Sequence, residues 1–384
     1  MYDYIIAGAG CSGLSLLHYI LQVPNLKEKK ILLIDKEWKT QNDRTWCFWE
    51  AGVGDFEQLV CKKWDILTFK RQNVHLDLNI NPYHYKMIQG IDFYEFIQKE
   101  IAQFPNITFL AANIEKITET ENTAEVITDK GVFSAEIVFS SVLNYQENPR
   151  KHNAVAQHFK GWLIEVGEER FEENKATFMD FSIPQENETR FVYVLPRDKR
   201  TALVEYTVFS NQLISSEEYD KLIQYYLKTH LQITDYQILH TEMGVIPMTN
   251  YPFHTHDKKR IFYIGTAGGQ VKASSGFAFQ RIQKAMKKVA EQLEKGEMPR
   301  KKQDFRFQKY AWFDTLLLNV MLNHRFPSDK IFHFLFKNNP PQRVLAFLNE
   351  ETTIIEDLKI MNSVPSMPFI RAIFDEVRKK MGIK

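Results

Sequence analysis

The sequence predicts an α/β fold: a Rossmann-type dinucleotide-binding domain carrying an inserted antiparallel β-sheet as substrate domain, followed by a C-terminal helical region. Three observations predict it. The apolar stretch Tyr2-Asp3-Tyr4-Ile5-Ile6-Ala7 runs without a gap into Gly8-Ala9-Gly10-Cys11-Ser12-Gly13. A second strand-like stretch, Ile261-Phe262-Tyr263-Ile264, runs into Gly265, Gly268 and Gly269. Between the two, residues 161–207 read as long strands with no helix separating them.

The first stretch reads as strand, glycine turn and helix, with Leu14, Leu16, Leu17, Tyr19, Ile20 and Leu21 as the apolar helix positions. In that context G-x-G-x-x-G binds a dinucleotide. Gly8 permits the tight turn, Gly10 lets backbone approach a pyrophosphate, and Gly13 lets helix and strand pack closely. The turn, including Ala9, Cys11 and Ser12, presents N–H groups and a helix N-terminus to that pyrophosphate. Residues 30–34 form the next strand and end in Asp35, with Lys36 beside it. An acid about twenty residues beyond the last glycine is placed to hold ribose hydroxyls. A plain βαβ unit with a solvated Asp35 is the bland alternative, which strand, spacing and acid together argue against.

After Asp35 the chain reads as a loop, Asn42-Asp43-Arg44-Thr45-Trp46-Cys47-Phe48-Trp49. Loops at the carboxyl ends of such strands face the ligand crevice, so Arg44 and Thr45 are candidates to touch the cofactor. Trp46, Phe48 and Trp49 face the same crevice on that reading, or are packing residues of a loop folded over a core. Residues 64–79 suggest two strands of a small sheet. A helix is expected with Asp92 as N-cap and Glu95 as its third residue. Residues 107–110, 125–128 and 137–141 supply further strands of the nucleotide domain, with a turn at Asp129-Lys130-Gly131. Residues 162–165, 177–181, 190–196 and 200–208 suggest the antiparallel sheet, 217–231 a helix, and 238–247 another extended segment. The second glycine motif, Gly265, Gly268, Gly269, Gln270 and Val271, precedes a helix over 277–295 and offers backbone N–H groups to a phosphate or a flavin edge. The expected domains are thus 1–150, with a small sheet insertion near 60–80, then 151–245, 246–298 and 299–384.

The last region, after the basic stretch Arg300-Lys301-Lys302, crowds Phe305, Phe307, Trp312, Phe313, Phe326, Phe332, Phe334 and Phe336 together with Lys, Arg and His. Aromatic helices edged by basic residues suit docking into one leaflet, and core helices have a similar look. No stretch approaches the twenty or so apolar residues of a spanning helix.

Composition narrows the class. The 384 residues are 44% hydrophobic and 25% charged, enough to build a core. A net charge of +1 argues against a nucleic-acid partner. Aromatics reach 13%, which suggests a large apolar ligand or a membrane surface besides the core. The three cysteines, Cys11, Cys47 and Cys61, have no metal-ligand spacing, so neither a metal site nor a disulfide framework is expected. Met1 is followed at once by the first strand, so a signal peptide is not expected and a cytoplasmic location is.

On these residues the chain resembles the bacterial branch of the lycopene β-cyclase family. The likeness rests on the first glycine motif, on the Asn42-Asp43-Arg44-Thr45-Trp46-Cys47-Phe48-Trp49 stretch, and on Ala202-Leu203-Val204-Glu205-Tyr206-Thr207. Gly244-Val245-Ile246-Pro247-Met248 and residues 264–279 match two more family segments. The resemblance implies a glutathione-reductase-like flavoprotein and an isomerase of the intramolecular-lyase class. It implies lycopene and related acyclic carotenoids as substrates, FAD in reduced form with NAD(P)H as reductant, and peripheral attachment to a membrane. Lycopene would become γ-carotene and then β-carotene with no net electron transfer. Glu205 aligns with the family's essential glutamate and is the expected acid/base, with Trp46, Phe48, Trp49 and Tyr206 as candidates to stabilise the cation of that reaction, although each could equally be packing. Plant members carry a second acid where Tyr206 stands, so a role for two adjacent carboxylates is not carried over. The resemblance names no base for the final proton loss. Two other readings stay open: a redox flavoenzyme acting on isoprenoids (reductase or monooxygenase), and a non-catalytic flavin- or carotenoid-binding peripheral membrane protein.

Overall fold

Apolar runs at the start of the chain do become the centre of a parallel sheet. The computed structural model describes residues 1–143, 148, 151–253, 258–300 and 304–382. They fall into two units, Met1–Asp43 with Gly90–Glu147 and Tyr251–Phe307, and Arg44–Gln89 with Asn148–Asn250 and Gln308–Lys384.

In the first unit β1 (Tyr2–Ala7) lies between β2 (Ile31–Asp35) and β11 (Gly131–Ser140), parallel to both. β8 (Ile107–Ala111) extends the parallel set beyond β2, and β17 (Ile261–Tyr263) joins β11. β9 (Ile114–Glu119) and β10 (Ala124–Thr128) continue the sheet antiparallel. Ile5, Ala7, Leu32, Ile34, Val126 and Val138 meet in one dry core cluster. A parallel sheet buries both faces, which is why these strands read as unbroken apolar runs. The helices of this unit are α1 (Cys11–Leu21), α2 (Gly90–Ile101) and α4 (Phe279–Glu294). Asp92 is not the cap of α2 but sits in its first turn, because the preceding strand runs straight into Gly90. Its charge still meets the positive end of the helix dipole.

The second unit holds a seven-stranded sheet in the order β16, β12, β15, β14, β13, β5, β6. These are β16 (Gln237–Thr249), β12 (Ala154–Glu165), β15 (Thr201–Ser210), β14 (Thr189–Pro196), β13 (Lys175–Asp180), β5 (Ile66–Arg71) and β6 (Val74–Asn79). All neighbours pair antiparallel except β13 and β5. The hairpin expected to form a small sheet of its own, residues 64–79, instead extends this large one. A hairpin's free edge must be paired or covered, and β13 pairs it.

One face of the sheet is closed by α3 (Ser216–Thr229), whose N-cap Ser215 accepts the Glu218 N–H at 3.2 Å. Tyr219, Ile223, Tyr226 and Leu227, at helical spacing, pack on Trp162, Val192, Val204, Tyr206 and Val208. Each such side chain contributes about 1.5–3 kcal/mol. A charge at position 223 would therefore detach the helix.

A three-stranded sheet of β3 (Thr45–Ala51), β7 (Tyr83–Gln89) and β4 (Lys62–Trp64) completes the β content of this unit. Residues 45–51, read from sequence as a loop, are thus a strand, paired with β7 from Thr45↔Gln89 to Ala51↔Tyr83. Its β-favouring Thr, Trp, Cys, Phe and Trp residues were the overlooked signal. The C-terminal helices are α5 (Phe305–Leu322), α6 (Ser328–Asn338), α7 (Pro341–Leu348), α8 (Ile354–Asn362) and α9 (Ser366–Met381). Of the aromatic crowd, Phe332 and Phe336 are core, Phe307, Trp312, Phe313, Phe326 and Phe334 are half-buried, and Phe305 is exposed. Within the C-terminal helices most exposed apolar side chains lie on α8 and α9, while the basic stretch 300–302 falls partly outside the described residues.

Candidate functional site

The glycine motifs of the first unit form one cradle. Gly8 has φ +113°, and a Cβ there would stand 2.0 Å from Ser141 Oγ. A Cβ on Gly13 would stand 2.0 Å from the Gly8 carbonyl oxygen, so α1 can lie this close to the β1 turn only with glycine. Gly10 differs: a Cβ there meets no protein atom within 4 Å. Its open side faces outward at the start of α1, where no side chain caps the helix. The first-turn N–H groups of Cys11, Ser12 and Gly13 have no intrahelical acceptor and can bind an anion.

Asp35 ends β2 and accepts the Ala9 N–H at 2.6 Å and the Lys36 N–H at 2.7 Å. Each carboxylate oxygen keeps a lone pair for a hydroxyl donor. The Lys36 side chain is exposed. Gly265, at φ +63°, brings the second motif onto the first, since a Cβ there would be 2.5 Å from Ser12 Oγ. Gln270 is buried; its side-chain oxygen accepts the Gly265 N–H, and its own N–H donates to the Gly265 carbonyl at 3.0 Å. Gly268 and the left-handed Gly269 close the turn before Val271. Gly8–Gly13, Asp35, Lys36 and 265–271 are thereby brought together, and the open flank at Gly10 fits a dinucleotide pyrophosphate. Arg44 and Thr45, expected with them, belong to the second unit.

The second unit carries a different constellation. Register pairs Tyr193 with Glu205, Glu205 with Gly161, and Gly161 with Glu242. Tyr193, Glu205, Gly161 and Glu242 therefore form one row across β14, β15, β12 and β16, on the face away from α3. A Cβ built on Gly161 would lie 3.4 Å from Glu205 Cβ and 3.3 Å from Glu242 Cγ. Thr207 Oγ1 donates to Glu205 at 2.8 Å, and Thr45 Oγ1 donates to Glu242 at 2.7 Å.

Glu205 retains some accessible surface, yet protein surrounds it densely enough that loss of water dominates its titration. Burial first, and the Glu242 charge second, push its carboxyl up to about 8, against the pull of the Thr207 hydroxyl. Glu242 is itself buried. Above the pair, Thr45, Cys47 and Trp49 share one face of β3 by strand alternation. Burial raises the Cys47 thiol well above its ordinary value, helped by Glu242 and Glu205. Burial likewise raises the Tyr85 and Tyr193 hydroxyls. Phe178 stands edge-on to Tyr85 at 5.4 Å, to Tyr193 at 6.0 Å and to Trp49 at 6.3 Å. Trp49 donates its indole N–H to the Leu345 carbonyl at 3.1 Å. These groups make a protonated acid walled by aromatic rings, able to give a proton in low dielectric and to face a cation.

The candidates from sequence are split by this geometry. Tyr206 points to the opposite face of β15, into the core beneath α3, with Tyr219 edge-on at 6.2 Å. Side chains alternate at every residue, so it cannot share the space that Glu205 faces. Trp46 and Phe48 take the face of β3 opposite Thr45, Cys47 and Trp49. Glu242, Gly161 and Cys47 were passed over. The available signal was the one acid in the extended segment 238–247, but its neighbours depend on register.

A family model described as lycopene cyclase protein matches residues 3–374. No curated protein matches the chain in sequence. Among solved structures, it is similar to the flavin-dependent brominase Bmp2, at 13% identity and TM-score 0.62, covering 98% of this chain and 99% of that one. It is similar also to a geranylgeranyl bacteriochlorophyll reductase-like protein from Thermoplasma acidophilum, at 10% identity and TM-score 0.58, covering 99% and 98%. A flavoprotein/dehydrogenase from Cytophaga hutchinsonii matches at 14% and 0.58, covering 99% of each chain. These likenesses bear out the α/β fold of flavoproteins expected from the glycine motifs.

Proposed function

This chain belongs to the lycopene cyclase family, and we propose that it closes the acyclic ends of lycopene into β-ionone rings by proton-initiated cyclisation without net redox change. The single observation that carries the reading is Glu205: a carboxyl raised to about 8 on a sheet face walled by Phe178, Tyr85, Tyr193 and Trp49. Such a group is still an acid at neutral pH, as general-acid catalysis of alkene protonation requires.

In this reading Glu205 gives its proton to the terminal double bond of the substrate. The cation is then attacked by the trisubstituted double bond within reach, closing the six-membered ring, and a ring proton is lost to leave the new alkene. The aromatic walls exclude water, which would otherwise trap the cation as an alcohol, and their faces attract positive charge. Reduced FAD, with NAD(P)H as reductant, would supply negative charge to stabilise the cation. The residues to hold it are Gly8, Ala9, Gly10, Cys11, Ser12, Gly13, Asp35 and Lys36, with Gly265, Gly268, Gly269, Gln270 and Val271.

A forty-carbon hydrocarbon must be drawn from a bilayer, and α8 and α9 suit attachment to one. Met367, Ile370, Phe374, Val377 and Met381 recur at three- and four-residue spacing along α9, all exposed. Ile354, Ile355, Leu358 and Met361 are likewise exposed on α8. Exposed Lys359, Arg371 and Arg378 are placed for anionic headgroups. Among the described residues no helix is long and apolar enough to cross a membrane, so attachment would be peripheral.

The test is conversion in heavy water. The protein, with FAD, NADPH and lycopene in liposomes, is incubated without oxygen and the pigments are analysed by mass. Ring-closed isomers carrying one non-exchangeable deuterium per ring are expected. NADPH consumption in step with turnover, or a product differing by two hydrogens or an oxygen, would overturn the reading in favour of a reductase or oxygenase.

A further inference from the structure

We infer that Glu242 is the second acid of a carboxylate pair that shares one proton with Glu205 across Gly161 and keeps that proton available for cyclisation. The inference rests on the cyclisation proposed above and assigns the residue that tunes its acid. Three features place the pair. Glu205 and Glu242 lie in one row of the sheet, two strands apart, with only Gly161 between them. The missing side chain at 161 leaves a gap that the Cβ of Glu205 and the Cγ of Glu242 both border, each within 3.4 Å of where a Cβ would stand. The Thr45 hydroxyl donates to Glu242 at 2.7 Å, a bond that favours the ionised form there.

Position 206 could not supply this partner. Tyr206 lies on the other face of β15, in the core under α3, and so would any acid put in its place. A second carboxylate can reach Glu205 only from another strand, and β16 provides it.

Two carboxylates that border one buried gap resist ionising together; in this inference the pair holds one proton at neutral pH and loses it as a unit. During turnover that proton goes to the substrate alkene, and the pair passes from one negative charge to two. The ring C–H proton then returns to the pair, which exchanges it with solvent before the next ring closure, so the cycle balances without an oxidant. The rise in the titration of Glu205, caused after burial by Glu242, agrees with this arrangement. The other titratable groups facing the pair are Cys47 of β3, Tyr85 of β7, Tyr193 of β14, and His240 of β16 in the next row. Burial keeps the thiol and both phenols neutral far above pH 7. Among the described groups, Glu242 is the charge that raises Glu205.

The test is an infrared titration of the full-length, flavin-loaded protein between pH 5 and 10, following the carboxylic-acid C=O stretch. In parallel, the pH profile of lycopene conversion in liposomes is measured. The acid band missing in Glu205→Gln reports Glu205 itself. In Glu242→Gln that band is expected to titrate at least one pH unit lower, and the alkaline limb of conversion to move down with it. Glu242→Asp should restore both. Thr45→Val, which removes the donor from Glu242 alone, should move the band upward and serves if Glu242→Gln does not fold. A band that titrates at the same pH in Glu242→Gln and Thr45→Val as in the parent overturns the pair. If Glu205→Gln still converts lycopene, the proposed function itself fails, whatever the band does.

Discussion

Gly161 stands directly opposite Glu205 across the β12–β15 ladder, and the space its missing side chain leaves is shared with Glu242 on the other side. Glycine ordinarily weakens a strand interior, so its place at the middle of β12 asks for a reason. Room for two carboxylates is a sufficient one.

Gly161→Ala should separate activity from stability. A Cβ at 161 would lie 3.1 Å from Leu203 and 3.3 Å from Glu242 Cγ, contacts that small side-chain shifts relieve. The fold should hold, with melting changed by a few degrees at most. Displacing Glu205 by a fraction of an ångström should lower kcat about 10–100-fold. Melting curves and turnover on one preparation decide it; full activity would show that the gap is not used.

Glu205→Gln should remove turnover by a factor of about 10²–10⁴, the usual worth of a general acid. Its effect on stability should depend on pH. The carboxyl sits at about 8 in the folded chain, against an ordinary 4.5. Between those values the folded state holds a proton that the unfolded state has released. The contribution of Glu205 is therefore fully present below about 4.5 and lost as pH rises through about 8. The variant should melt with the parent near pH 5 and above it at pH 9. Equal melting at pH 9 would mean that Glu205 is not buried as an acid.

Gly10→Ala and Gly13→Ala should fail in different ways. At Gly13 the methyl would meet the Gly8 carbonyl at 2.0 Å, forcing α1 off β1 at a cost of about 1–3 kcal/mol. Melting of the flavin-free protein should fall. At Gly10 the methyl meets no protein atom, so stability should stay level while flavin affinity drops. Flavin titration by fluorescence, beside calorimetry of the flavin-free forms, separates the two.

Ile370→Glu with Phe374→Glu should release the protein from liposomes without unfolding it. Both side chains are exposed on α9, Phe374 at 64%, so nothing in the core is lost. Each apolar side chain withdrawn from lipid forfeits about 1.5–3 kcal/mol. Co-sedimentation with anionic vesicles should fall at least tenfold. Unchanged binding would place the attachment surface elsewhere.

Much of this protein was readable in its sequence where the information is local. The turn chemistry of Gly8–Gly13, the period-two pattern of β12 to β15 and the helical period of α3 involve residues close along the chain. Short-range sterics and hydrogen bonding decide them, so the flavoprotein fold and the turn at the first glycine motif were legible. Glu205 could be named because a family likeness marks it, not because its strand shows which way it points.

Whatever depends on register and on long-range pairing was decided only in three dimensions. The sequence reads residues 238–247 as an extended segment, but only the ladder to β12 sets Glu242 opposite Gly161 rather than one residue away. A slip of one residue would turn its carboxylate to the other face. The same alternation separates Glu205 from Tyr206, and Thr45 from Trp46, although each pair is adjacent in sequence. Tertiary burial likewise chose which apolar helices became core and left α8 and α9 bare. Amphipathic period shows that a helix has an apolar side, whereas what covers that side depends on chain segments far away in sequence.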